Sequence, residues 1–223
     1  MDSHKLSDVC LMIKRGTQPK YSEDGTLVIN QKCIRDYKIN LDLARHNDED
    51  QKKTSEEKKL QQWDVLINST GVGTLGRVAQ VTTTMDNATV DSHVTIVRPN
   101  LELLDGSYFG YYLKSLQSLI ETLGEGATGQ TELSRNRIGE DLQIKIPPKQ
   151  QQVMISQALT SFDDLISYNT RRIEILEESA KALYREWFVH YRYPGHENDT
   201  MVDSELGPIP KGWEITTLEE GCS

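Results

Sequence analysis

The chain has 223 residues, 36% hydrophobic and 26% charged, enough for one well-buried core with an appended element and short for two full domains. With 25 Lys and Arg against 34 Asp and Glu its net charge is −9, which argues against a protein that coats nucleic acid by bulk electrostatics, because that affinity comes from cations displacing counterions. No run of 18 apolar residues occurs and MDSHKLSDVC lacks a charged-then-apolar export pattern, so membrane and secretory classes are disfavoured and a cytoplasmic protein is expected.

From residue 5 to 146, runs of β-branched and apolar residues alternate with turn-forming clusters: TLVIN at 26–30, DVLINS at 64–69 and HVTIVR at 93–98. One helix is expected at 54–62, where Thr54 and Glu57 have capping-box spacing. A second is expected at 108–123, after the break Asp105-Gly106-Ser107, with Leu113, Leu116 and Ile120 at helical spacing. GEGATG at 124–129 follows as a loop with wide backbone freedom.

Pro147-Pro148 close this region, since neither residue continues a strand or a helix interior. Beyond them Ile155, Leu159, Phe162, Ile166, Asn169, Ile173, Leu176, Ala180, Leu183 and Trp187 recur at 4-3 spacing. The stripe predicts one helix over 151–188, roughly 55 Å long at ~1.5 Å per residue. The alternatives are a helix lying against its own domain and a coiled coil; a domain of ~145 residues, with a radius of gyration near ~15 Å, is too compact to cover the whole length, so a partner helix is expected. Asn169 in the seam is the kind of polar layer that sets register.

The expected class is α+β: a mixed α/β globular domain over 1–148 followed by a long coiled-coil helix over 149–190. The tail, 191–223, reads as a linker that ends at the start of another element. Its TLEEGC at 217–222 faintly echoes KLSDVC at 5–10.

No catalytic constellation emerges. GVGTLG at 71–76, with Asp91 twenty residues after Gly71, imitates a dinucleotide-binding turn. Such a turn must open a helix, however, and RVAQVTTT at 77–84 is β-rich. The glycines are therefore read as a tight strand-to-strand connection where backbone approaches something closely. The five histidines are scattered, and Asp91 and His93, on one face of an expected strand, suit a local hydrogen bond as well as acid–base chemistry. Cys10, Cys33 and Cys222 lack metal or disulfide spacing and are read as free thiols. No metal site and no cofactor of the chain's own are expected.

Three polar groups are candidates for nucleic acid. Lys14, Arg15, Thr17 and Lys20 share one turn; Asn68, Thr70 and Arg77 bracket the glycine loop; Thr128, Arg135, Asn136 and Arg137 follow the second loop. Lys14, Arg15, Lys20 and Arg77 are expected to position phosphates, and Thr17, Asn68, Thr70, Thr128, Arg135, Asn136 and Arg137 to read base edges. Residues 1–148 hold 18 Lys and Arg against 21 Asp and Glu, so most of the acidity lies elsewhere.

In order, WDVLINSTGVGTLGRVAQV, GATGQTELSRNRIGEDLQIKIPPKQQQ and ISQALTSFDDLISYNTRRIEILEESAKALYREWF resemble the specificity subunits of type I restriction-modification systems, over residues 5 to about 190. The resemblance implies a target-recognition domain with its spacer helix, in a non-catalytic chain that reads half of a split double-stranded DNA site. It implies modification subunits docked on the helical part, where S-adenosylmethionine methylates an adenine amine, and a restriction/motor subunit using ATP and Mg. Family members alternate two recognition domains with two antiparallel helices, whereas one of each stands here. A half subunit that homodimerises through its heptad stripe is therefore expected. The alternatives are a coiled-coil assembly scaffold, an inactive truncated fragment, and a nucleotide-dependent catalyst built on the glycine loop.

Overall fold

The structure, a computed structural model, describes residues 3–126, 131–217 and 220. The chain divides into two compact units, residues 1–160 and 161–223.

The first unit is built on an antiparallel sheet in the order Cys10–Arg15, Val94–Pro99, Val65–Asn68, Val78–Gln80. DVLINS and HVTIVR supply its two middle strands, which are apolar at nearly every position because both faces are covered. Val65, Ile67 and Val97 pack with Phe109, Leu113 and Ile120 on one side, while Leu66 and Ile96 pack with Ile29, Ala88 and Val90 on the other. The first side is closed by the helices Gly106–Ser115 and Gln117–Thr122. The second side is closed by another sheet, ordered Ala88–Val90, Thr26–Ile29, Arg45–Asn47, Tyr21–Ser22, whose first pair is parallel. The α+β expectation holds.

Three local expectations are corrected. Residues 54–62 form only a short 3-10 turn, Glu56–Lys58. The capping box fails because Thr54 instead gives its N–H and hydroxyl to the Glu49 carboxylate at 2.9 and 2.5 Å, and Glu57 is taken by Lys14 at 2.6 Å. The helix expected over 108–123 is two helices broken at Leu116, with Asp105 capping the first by accepting the Tyr108 N–H at 2.8 Å. Asp91 and His93 do not share a strand face; they lie in the turn before Val94, where Asp91 Oδ1 accepts the His93 N–H at 2.8 Å.

The long helix runs Lys149–Tyr184 and continues through a π turn, Arg185–Val189. It starts at the proline pair because Pro148 O accepts from both Gln151 N and Gln152 N, at 2.8 and 3.2 Å. Its foot is locked to the domain by two polar side chains. Lys149 Nζ donates to Leu101 O and Leu104 O at 2.6 and 2.8 Å. Gln152, 1% exposed, accepts the Asp105 N–H at 2.7 Å and donates to Leu103 O and Pro147 O at 3.1 and 2.9 Å. Gln152→Leu removes the partner of three backbone groups, one of them buried, so we expect a loss of about 2–3 kcal/mol in urea unfolding; a loss under about 0.5 kcal/mol would show that the foot is held by other contacts.

Only Gln152 and Ser156 are buried along this helix. The heptad residues are exposed, Phe162 at 65% and Ile166 at 61%. Among the described residues no helix is long and apolar enough to cross a membrane. In the second unit, the aromatic residues of the expected linker gather instead of trailing: Trp213 lies 5.4–5.9 Å, centroid to centroid, from the rings of Phe188, Tyr191 and Tyr193. Arg192 grips both Glu186 carboxylate oxygens at 2.6 and 2.7 Å.

Candidate nucleic-acid interface

The antiparallel order of the central sheet brings together, at one end, the C-terminus of Cys10–Arg15, the N-terminus of Val94–Pro99, the C-terminus of Val65–Asn68 and the N-terminus of Val78–Gln80. Segments far apart in sequence therefore meet as neighbouring loops. The glycine loop is a hairpin connection, with Ile67 opposite Val78. Two of its glycines are required sterically: Gly71 has φ +108° and a Cβ there would stand 2.2 Å from Thr74 Oγ1, while Gly76 has φ +85° and a Cβ would stand 2.8 Å from Glu121 Cα. The close approach is thus to the chain itself.

The 131–137 segment is stitched onto this end. Leu133 N–H donates to Ser69 O at 2.8 Å, Thr70 bridges Glu132, and Glu125 and Glu132 exchange backbone hydrogen bonds at 2.9 and 2.8 Å. Arg15 reinforces the joint, one guanidinium nitrogen on the Glu132 carboxylate and another donating to Leu133 O at 2.7 Å. Arg137 links Glu125, at 2.8 Å, with Asp141, and Arg77 donates to Gly73 O at 2.9 Å. These three arginines shape the loops that carry them. Asn68 is fully buried and supports the loops from beneath, donating to Gln31 O at 3.0 Å.

The outer positions differ. Arg135 and Asn136 are exposed, and among the described residues neither side chain has a partner. Thr70 shares a 2.7 Å hydrogen bond with His93 Nδ1. Thr17 is exposed, 3.5 Å from Lys58 Nζ, and so brings a lysine that the sequence reading did not select. Lys14, next to Arg15 in its strand, pairs with Glu57, the neighbour of Lys58, and Lys20 is exposed at the edge of the second sheet, where its N–H meets Asn47 Oδ1 at 2.9 Å. Thr128 lies outside the described residues, as does Cys222. Cys10 and Cys33 are free thiols, burial pushing Cys10 up to about 12. No cluster of metal-ligand residues occurs among the described residues.

Sequence reasoning missed the setting of Asp91, which is 4% exposed. Burial raises its pKa, against the hydrogen bond and positive field of His93. Between the ordinary aspartate value and this raised one, the folded chain keeps a proton that the unfolded chain releases. Stability from this group therefore falls as pH rises through that window. Asp91→Asn, whose amide oxygen accepts the same His93 N–H, is expected to melt above wild type near about pH 7, by a margin that vanishes toward about pH 3. A margin independent of pH would reject this assignment.

Similarity to known proteins is extensive. The Methanocaldococcus jannaschii MjaX type I restriction enzyme specificity subunit is 24% identical over 221 residues, covering 96% of this chain and 51% of that protein. The MjaVIII specificity subunit of the same organism is 30% identical over 119 residues, 53% of this chain and 27% of its own length. The fold matches the S subunit of a type I restriction-modification system from M. genitalium with a TM-score of 0.63 at 16% identity, covering 91% of this chain and 51% of that one. The HsdS subunit of Thermoanaerobacter tengcongensis matches at 0.54 and 17% identity, covering 77% and 39%. The chain thus spans about half the length of the first of these relatives. The model of the type I restriction modification DNA specificity domain matches residues 1–178, from the first strand through most of the long helix. The loops at this end of the sheet and most of the long helix therefore fall within one matched region, and the chain belongs to the type I restriction modification DNA specificity domain family.

Proposed function

We propose that this chain reads one half of a split double-stranded DNA site and, through its long helix, pairs with a second copy and docks modification subunits. The observation that carries the reading is the convergence of three polar loops at one end of the central sheet, the end away from the helix foot at Leu101–Asp105. Loops on a rigid sheet suit recognition, because the scaffold holds their side chains in register against a groove. Arg15, Arg77 and Arg137 hold the loops in shape, while Arg135, Asn136 and Thr17 face outward.

Pairing is supported by the stripe itself. The seam is symmetric about Arg171, so in an antiparallel twofold pair Ile155 meets Trp187, Phe162 meets Ala180 and Ile166 meets Leu176. A large ring against a methyl is the complementarity that such a layer needs. A second exposed stripe, Met154, Leu165, Tyr168, Ile175 and Val189, flanks the seam and leaves apolar surface for modification subunits. Those subunits would hold the S-adenosylmethionine, and a restriction/motor subunit the ATP and Mg; this chain supplies the address and no chemistry.

The test is selection by the full chain from a randomised duplex pool. Recovery of a motif supports the reading, and its binding should weaken steeply with salt. Recovery of none would leave a coiled-coil scaffold. With a motif in hand, Arg135→Ala should relax one position by about 1–3 kcal/mol, whereas Lys20→Ala should weaken all sequences about equally. Equal losses from both variants on every sequence would collapse the division between readers and positioners.

A further inference from the structure

A cleft of about 460 Å³ adjoins the loop cluster, lined in part by Tyr21, Gln31, Arg45 and Asp91. Asp91 is 4% exposed yet lines this cleft; one carboxylate oxygen accepts the His93 N–H at 2.8 Å, and no hydrogen bond reaches the other among the described residues. The Arg45 guanidinium carbon stands 3.4 Å from the centroid of the Tyr21 ring. Arg45 is also exposed and forms no ion pair among the described residues, which leaves its outer face open. Gln31 joins the cleft to the glycine loop: its backbone oxygen accepts from Asn68 and its side-chain oxygen lies 3.4 Å from Thr74 Oγ1.

An open guanidinium face beside a recessed carboxylate oxygen fits a flat ring with a donor on its edge, and a nucleobase has both. An ionised carboxylate only accepts, so it favours a base with an exocyclic amino donor, cytosine, adenine or guanine, over thymine, whose imino N–H is flanked by two carbonyls. A base still paired and stacked cannot enter a recess, because its neighbours and partner strand block the approach. We propose that the cleft receives one amino-bearing base, cytosine, adenine or guanine, turned out of the DNA stack, its ring against Arg45 on Tyr21 and its amino group donating to Asp91. This rests on the DNA-reading function above and adds to it a position read outside the duplex.

The test uses the full chain and its Asp91→Asn variant, each selecting from a randomised duplex pool. The variant keeps an acceptor for the His93 N–H, and an intact melting transition separates a lost contact from misfolding. We expect two motifs that agree except at one position, where wild type prefers an amino-bearing base over thymine about tenfold more strongly than the variant does. Mispairing that base, by changing only its opposite partner, should raise wild-type affinity, because unpairing then costs little. Identical motifs overturn the proposal, as does a mispair that weakens binding, since the base is then read inside the groove. Stabilisation by free CMP, AMP or GMP that depends on Asp91, with no change of motif, overturns it in favour of a free nucleotide. If wild type recovers no motif, the DNA-reading function fails, and this proposal with it.

Discussion

Ile166→Asp is expected to convert a dimer of this chain into a monomer. Ile166 is 61% exposed in the single chain, so the substitution leaves the isolated fold and its helical content unchanged. In an antiparallel pair it faces Leu176, and twofold symmetry places the charge at two sites. Burying an unpaired polar group costs at least about 2 kcal/mol each, about 4 kcal/mol in all, close to a thousandfold in Kd. Light scattering of both chains over a concentration series measures this directly. A wild-type chain that stays monomeric throughout would show that the stripe awaits a different helix, and the half-subunit reading would fall.

The second large effect is expected inside the domain. Arg98 Nε and Nη2 each hold one Asp64 oxygen at 2.8 Å; Nη2 also donates to Lys59 O at 2.7 Å, and Asp64 accepts the Gln61 N–H at 2.8 Å. The Asp64 side chain is 0% exposed and that of Arg98 12%. Arg98→Met removes the cation and leaves a buried carboxylate with only a backbone donor. Breaking such a pair costs about 3–5 kcal/mol, a fall in Tm of roughly 10 °C for a chain of this size. Adding Asp64→Asn to Arg98→Met should recover part of the loss, since the stranded charge is then gone. A single variant within about 1 kcal/mol of wild type would mean that water replaces the guanidinium. Arg98 is thus a cation of the fold and is unavailable to DNA.

Much of the architecture was legible because its signals are local. TLVIN, DVLINS and HVTIVR became strands, because runs of β-branched and apolar residues favour the extended backbone. Pro147-Pro148 and the heptad stripe marked the long helix to within two residues of its start. The glycine loop was recognised as a connection between strands because the residues after it could not open a helix. In each case the physical cause, periodicity or backbone restriction, acts within a few residues.

The candidate site was legible as a set of residue types and much less as a set of roles. Asn68 resembles a base reader in sequence but is fully buried. Arg15 and Arg137 resemble free cations but are spoken for by Glu132, Leu133, Glu125 and Asp141. The capping box at Thr54 was lost to Glu49 and Lys14. The sequence by itself determined the strand runs, the hairpin glycines, the helix and its unpartnered stripe, since these follow from local conformational preference and spacing. Only the tertiary structure decided which charges are neutralised and which stay open, and that Asp91, Arg45 and Tyr21 line one cleft. Those outcomes depend on pairing between distant segments, Arg15 with Glu132 across 117 positions, and an ion pair has no signature in sequence until the fold brings its partners together.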